Sequence, residues 1–141
     1  LDAFIRLLDE LYIKLENNTF TRVKQNDSDA TYTCSRNPED GLIDWNKPAN
    51  EINNLVRALT FPFPGAFTYN NRSKITVISA EIYPINKYVG IIPGKIIKII
   101  NDFGVVVLCG YGALLLKKIS VDGEILKSYE YFNSVRITLG R

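Results

Sequence analysis

The chain has 141 residues, a length typical of one modest domain or of one domain joined to a piece of another. Its residues are 46% hydrophobic and 11% aromatic, which is enough for a packed core and excludes a disordered or low-complexity segment. Histidine is absent and the net charge is only +2, which excludes a Ser-His-Asp triad, a histidine-ligated metal and a strongly basic nucleic-acid binder.

The cysteine count and the start of the chain set further expectations. Cys34 and Cys109 are too few for a disulfide framework or a four-cysteine metal site, so we expect reduced thiols in a cytoplasmic protein. The apolar runs are shorter than the roughly 20 residues that span a bilayer, so no membrane partner is expected. The chain starts at Leu1 and contains no methionine, so we expect it to be a piece of a longer protein.

The first predicted element is an amphipathic helix over residues 1–15. Its apolar residues recur at spacings of three and four, which places them on one face. Asn17 and Asn18 are expected to end it. Residues 19–35 are polar and without a period, which predicts an extended linker.

A turn and a second helix follow. Residues 37–41 (Asn-Pro-Glu-Asp-Gly) have turn chemistry. Asn46 is a candidate N-cap and Pro48 suits the first helical turn. The helix presents an apolar face, and the prolines within 61–65 end it. That face is formed by Ile52, Leu55, Val56 and Leu59.

Beyond Gly65 the pattern changes to β-strands, with one helical turn predicted at 129–133. The apolar residues of the second strand shift phase near Ile78, which predicts a bulge or bend. Short strands separated by glycine-rich turns favour, by themselves, a small closed barrel. The predicted strands are 66–69, 74–83, 95–100, 105–109 and 113–120.

Charge is divided unevenly along the chain. Residues 1–70 carry 7 basic and 10 acidic side chains, whereas residues 71–141 carry 10 basic and 5 acidic ones. The basic half permits a phosphate-rich partner, but on charge alone a solvated mixed-charge surface is the preferred explanation. Lys95, Lys98, Lys117 and Lys118 are the candidates for a basic strip, but alternation along a strand implies that not all of them share one face.

Several motifs occur together and in order. They are the run from Arg36 to Trp45 (RNPEDGLIDW), the helix residues from Ile52 to Leu59, the run from Pro62 to Tyr69 (PFPGAFTY), and the later Pro93-Gly94-Lys95 and Cys109-Gly110-x-Gly112. Over nearly its whole length the chain resembles the C-terminal part of 10-formyltetrahydrofolate-dependent formyltransferases. These include methionyl-tRNA formyltransferase and the nucleotide-sugar N-formyltransferases.

The resemblance implies a fold and a division of the chain. Residues 1–35 would be the terminal helix and linker of an upstream Rossmann-like catalytic domain. Residues 36–141 would be the formyltransferase C-terminal domain, mainly β with flanking helices and built as an open OB-like β-barrel. The family's catalytic Asn, His and Asp and its 10-formyltetrahydrofolate site lie in the upstream domain. We therefore expect no catalytic residue here and no activity from this chain alone.

Five residues are candidates for acceptor binding: Arg36, Asp40, Trp45, Arg57 and Tyr69. Arg36 and Asp40 lie in the turn and either close over a nucleotide or sugar or brace the turn. Arg57 either holds a phosphate or carboxylate or pairs with Asp44 or Glu51. Trp45 is favoured as a core residue over a stacking residue, and Tyr69 either faces the cleft or lies at an apolar edge. The phenylalanines at 61, 63 and 67 are interpreted as core and turn anchors.

The acceptor is open among three interpretations. The Arg36-x-Pro38-x-Asp40 turn resembles the branch that acts on nucleotide-linked amino sugars, which is preferred. The basic half is compatible with methionyl-tRNA formyltransferase, in which the barrel would bind tRNA phosphates. The third interpretation is a non-catalytic OB-like binding module. The expected partners are the nucleotide sugar or the initiator Met-tRNA, the upstream catalytic domain and, from the resemblance, a second copy in a homodimer.

Overall fold

The computed structural model describes residues 2–141 and divides the chain into two units, 1–35 and 36–141. In the first unit, helix α1 (Asp2–Glu16) confirms the predicted helix, except that Leu1 lies outside the described residues. Asn18 adopts a positive φ of 56° and ends the helix, as predicted. Residues 19–35 have no regular structure beyond a 3-10 turn at Asp27–Asp29. None of the α1 side chains is buried.

The second unit opens with a 3-10 turn (Pro38–Gly41) and helix α2 (Ala49–Ala58). Pro48 occupies the N-cap of α2, so the prediction that Asn46 caps it is wrong. The Asn46 side chain instead donates to Asp44 at 2.9 Å. The apolar face is confirmed, because Ile52 and Val56 are buried in the main core while the neighbouring leucines of the helix pack against it.

Six strands form one antiparallel sheet in the order β1-β2-β5-β4-β3, and β6 pairs with β5. A short helix α3 (Ser128–Tyr131) confirms the predicted helical turn, whereas β6 was not predicted. The sheet is open, as the resemblance implied, and not the closed barrel that strand number alone favoured. The strands are β1 (Ala66–Asn70), β2 (Ser73–Tyr83), β3 (Ile96–Ile100), β4 (Gly104–Leu108), β5 (Ala113–Val121) and β6 (Glu124–Lys127).

The end of the chain bridges the two open edges of the sheet. The Ile137 carbonyl accepts from the amide of Ile96 in β3 at 3.1 Å, and the Leu139 amide donates to the Gly94 carbonyl at 2.8 Å. The Gly140 amide donates to the carbonyl of Tyr69 in β1 at 2.7 Å. We call residues 137–140 the closing segment. It satisfies backbone groups that an open edge would leave unpaired.

The sheet has apolar side chains on both faces. The main core lies on the face covered by α2 and includes Ile75, Leu114 and Leu116. A smaller cluster on the opposite, outer face includes Val106 and Leu115. The predicted phase shift in β2 is confirmed, since the β2–β5 register shifts between Val77 and Ala80 and so moves side chains between the two faces.

Candidate functional site

The candidate site is a pocket of about 520 Å³ beside α2. Its walls are formed by the turn before α2, by Leu55, Ala58 and the C-cap residue Leu59 of the helix, and by the proline-rich segment that follows the helix. Most of the lining is apolar, and the charged groups are those of Arg36 and Asp40. The lining residues are Arg36, Asn37, Pro38, Asp40, Gly41, Leu55, Ala58, Leu59, Phe63, Pro64 and Gly65.

The turn that supplies the charged groups is braced by its own backbone. The Asn37 amide donates to a carboxylate oxygen of Asp40 at 2.8 Å, so this carboxylate braces the turn at the edge of the pocket. A Cβ at Gly41 would lie 2.8 Å from the Gly65 carbonyl oxygen, so glycine lets the two walls approach closely. Arg36 is exposed and pairs with no carboxylate among residues 2–141. Its guanidinium is therefore available to an anionic ligand.

Of the five predicted binding residues, only Arg36 and Asp40 line this pocket. Trp45 is 4% exposed and its indole nitrogen donates to the Thr68 hydroxyl at 2.9 Å, which makes it a core residue. Tyr69 lies on β1 with its ring edge-on to that of Phe67, the centroids 5.8 Å apart.

Arg57 is exposed on α2 and forms neither of its predicted ion pairs. Glu51 pairs instead with Lys47, one turn earlier, at 3.8 Å. Hydrogen bonds from the side chain and backbone of Asn46 lower the pKa of Asp44, which leaves that carboxylate engaged without an arginine.

Two phenylalanines in the segment 61–65 are far more exposed than the sequence analysis predicted. Phe61 is 92% exposed and Phe63 is 61% exposed, so they are not core anchors, whereas Phe67 is buried as predicted. Phe63, Leu55 and Leu59 were not predicted as site residues. The flanking prolines were the available signal, because they hold an aromatic side chain outward on a short rigid segment.

The two cysteines of the chain differ in burial. Burial raises the pKa of the Cys109 thiol to about 12, which leaves it protonated and unreactive at neutral pH. Cys34 is exposed and both thiols are free. Within residues 2–141, no three His, Cys, Asp or Glu side chains cluster in a way that could hold a metal ion.

The outer face of the sheet carries a second feature, which we call the lysine face: Lys98, Lys117 and Lys118. Lys98 is opposite Val106 of the outer cluster. The bulge opposite Ser79 and Ala80 places both Lys117 and Lys118 outside the main core. Strict alternation of side chains does not hold at Lys117 and Lys118, because the bulge interrupts it. Lys95 is separate, since its ammonium donates to the Arg136 carbonyl at 2.6 Å.

A family model described as formyl transferase, C-terminal domain, matches residues 36–136. The chain belongs to this family. The match begins at Arg36, the first residue of the second structural unit. The resemblance drawn from the motifs is thereby confirmed, since residues 36–136 match the C-terminal domain of that family.

A solved structure shares the fold. A crystal structure of a multiply substituted variant of HypX from Aquifex aeolicus superposes with a TM-score of 0.61 at 16% sequence identity. The alignment covers 91% of this chain and 22% of that one, so the chain spans about a fifth of that protein's length. At this identity the likeness establishes the fold, mainly antiparallel sheet with few helices.

Formyltransferases of this family generally use 10-formyltetrahydrofolate. A pterin ring needs several buried hydrogen-bonding groups along its amide edge. The polar side chains that line the pocket belong to Arg36, Asn37 and Asp40, and all three residues are exposed. The pocket therefore does not fit the cofactor. Among residues 2–141, no helix is long and apolar enough to cross a membrane.

Proposed function

We propose that this chain is the substrate-positioning C-terminal part of an enzyme that moves a formyl group from 10-formyltetrahydrofolate to the amine of a nucleotide-linked amino sugar. In that reaction a neutral amine attacks the formyl carbon and loses a proton, and an oxyanion develops that needs hydrogen-bond donors. This chain has no histidine, so we assign the proton transfer to the upstream domain. The contribution of the present residues is orientation of the acceptor, which alone can lower a barrier substantially.

The pocket beside α2 carries this proposal. The Arg36 guanidinium suits a phosphate oxygen of the nucleotide, because its planar fork donates two parallel hydrogen bonds. Asp40 has a carboxylate oxygen beyond the one that braces the turn, and it suits a sugar hydroxyl. The apolar walls around Leu55 and Phe63 suit the ring carbons.

The other three candidates take supporting positions in the proposal. Trp45 fixes the segment after the turn from beneath, through its bond to Thr68. Arg57 and Tyr69 lie outside the pocket lining and would meet parts of the acceptor that extend beyond it.

Residues 1–35 are proposed to be the terminal helix and linker of the upstream catalytic domain. The exposed apolar side chains of α1, among them Phe4, Leu8 and Leu11, support this assignment because such a stripe normally packs against a partner. It follows that the chain alone has no formyl-transfer activity. We also propose that the full-length enzyme is cytoplasmic and forms a homodimer.

One observation favours a second candidate, methionyl-tRNA formyltransferase. The lysine face carries three cations on β3 and β5, and Glu81, the ion-pair partner of Lys117, is its acidic neighbour. Such a face suits the phosphates of an RNA. RNA binding should weaken steeply as salt increases, whereas binding of a nucleotide sugar should weaken much less.

The test uses the full-length protein that carries this chain, with an amino-sugar nucleotide and Met-tRNA as alternative acceptors. We expect Arg36→Ala to lower kcat/KM for the sugar nucleotide by about 10- to 100-fold, because it removes the charge-assisted contact with the phosphate. Arg72→Ala is the matched control, because Arg72 is an exposed arginine on the β1–β2 turn away from the pocket. Equal effects of the two variants would refute the assignment of the pocket. Transfer to Met-tRNA that depends on Lys117 and Lys118 would establish the second candidate.

A further inference from the structure

The outer face of the sheet holds a recess that the proposed transfer to an amino-sugar nucleotide does not use. After β2 ends at Tyr83, residues 84–95 return to β3, and Ile85 and Ile97 pack against the outer apolar cluster. The recess between this segment and β3 has a volume of about 240 Å³. It lies on the face opposite the main core, which α2 covers, so it is separate from the pocket beside α2.

Four residues with polar side chains are among those that line the recess. They are Tyr83, Asn86, Tyr88 and Lys98. No carboxylate side chain lines it. The ion pairs of residues 2–141 are Lys47–Glu51 and Lys117–Glu81, so Lys98 is a cation without an acidic partner. Among residues 2–141, Tyr129 is the one tyrosine whose hydroxyl forms a hydrogen bond, so the hydroxyls of Tyr83 and Tyr88 are available to a ligand.

The local backbone positions these groups. Lys98 is opposite Val106 of β4, so its side chain stands on the outer face above a buried, apolar floor. The β3–β4 register shifts between Ile96 and Lys98, and this bulge brings Ile97 into the recess as well. Tyr83 packs against the outer cluster, which fixes its ring at one side. All four of these side chains carry hydrogen-bond donors, and Lys98 carries the positive charge.

Charge and size together limit the ligand. Several hydrogen-bond donors around an unpaired ammonium favour an anion with several acceptor oxygens, and a phosphate group offers three. A volume of about 240 Å³ is below the range of about 300–1,000 Å³ typical of sites for drug-sized ligands. The recess thus fits a phosphate with one small ring, and it is too small to enclose a strand of nucleic acid.

We propose that this recess binds a small phosphate monoester of the sugar-phosphate class. Lys98 contacts the phosphate, the hydroxyl of Tyr88 donates to it from the rim, and Asn86 meets the hydroxyls of the attached ring. The site is independent of formyl transfer, because it lies on the other face of the sheet. Binding of a ligand to the recess can therefore be measured without a formyl-transfer assay.

The test is calorimetric or NMR titration of the chain 1–141 with a hexose 1-phosphate, inorganic phosphate and the uncharged hexose. We expect saturable binding of the hexose 1-phosphate and none of the hexose. Tighter binding of the ester than of inorganic phosphate would identify the ring as part of the ligand, and equal binding would identify the phosphate alone. Absence of saturable binding of both phosphates, or binding of the uncharged hexose, would overturn the proposal.

Variants locate the site. Lys98→Ala should weaken binding at least about tenfold, and Tyr88→Phe, which removes one exposed hydroxyl, should weaken it a few-fold. Lys118→Ala is the matched control, because Lys118 is on the same face but does not line the recess; it should change affinity less than about twofold. Equal losses in the two lysine variants would show a diffuse electrostatic surface instead of a site and would overturn the proposal.

Discussion

Replacing Leu139 by alanine tests whether the closing segment stabilises the open sheet. Leu139 is 2% exposed, in the main core, and its amide donates to the Gly94 carbonyl at 2.8 Å. The substitution keeps that bond but removes a buried isobutyl group, for which leucine-to-alanine changes cost about 2–5 kcal/mol. We expect a loss of about 3 kcal/mol in the free energy of unfolding, with a Tm about 10–20 °C lower.

The assay is urea unfolding followed by the fluorescence of Trp45, the only tryptophan in the sequence. Trp45 and Leu139 line the same shallow pocket, so the probe reports on the closing segment directly. Val135→Ala is the control, because Val135 is 47% exposed and its truncation should cost less than about 0.5 kcal/mol. A Leu139→Ala variant no less stable than this control would refute the role given to the closing segment.

Three further predictions concern the buried polar groups, the thiols and the linker. Ser128→Ala should lower the free energy of unfolding in urea by about 2–4 kcal/mol, because the Ser128 hydroxyl accepts from the Val105 amide and donates to the Leu116 carbonyl in the core. Ser134→Ala, at a less buried site, should lower it by under about 1 kcal/mol, and equal losses would contradict this prediction. At pH 8, DTNB should label Cys34 in the native chain and both cysteines after denaturation, and rapid native labelling of both would contradict the burial of Cys109. Because burial raises the pKa of Cys109 from 9.0 to about 12, the free energy of unfolding should fall as pH rises from 9 to 12. Limited trypsin digestion should cut first within the exposed residues 17–35 and leave a protected fragment that ends at the C-terminus, whereas early cuts in the sheet would contradict the two-unit division.

Periodicity and turn chemistry predicted most of the fold. The helix α1, the apolar face of α2 and the bulge in β2 follow from local patterns of apolar side chains, and each is confirmed. Strand β6 was missed because its four residues, with a mostly exposed burial pattern, show no apolar alternation strong enough to identify a strand. Short edge strands depend on the neighbour they pair with more than on their own sequence.

The long-range backbone pairing of the closing segment could not be predicted from the sequence, for a different reason. The closing segment is joined to Gly94, Ile96 and Tyr69 through backbone amides and carbonyls, which leave no side-chain signature. Pro48 and Asn46 are both residue types that suit the start of a helix. The Asn46 side chain is engaged in a local hydrogen bond to Asp44, two residues earlier, and Pro48 takes the N-cap position.

The candidate site was predicted in part. Arg36 and Asp40 come together because they flank one tight turn, which sequence reasoning can identify. The apolar wall was not predicted. Leu55 and Leu59 pack against the main core, as interpreted, but they also line the pocket, and Phe63 is exposed. A residue at the edge of a helix's apolar face can contact the core and a pocket together, which the helical period alone does not show.

The central claim is tested most directly by the formyl-transfer activity of the full-length protein toward an amino-sugar nucleotide, followed by mass spectrometry of the product. The account predicts an N-formylated sugar nucleotide that depends on 10-formyltetrahydrofolate, formed by the full-length protein and not by residues 1–141 alone. No formyl transfer by the full-length protein to this acceptor, or transfer by the 141-residue chain without an upstream domain, would contradict it.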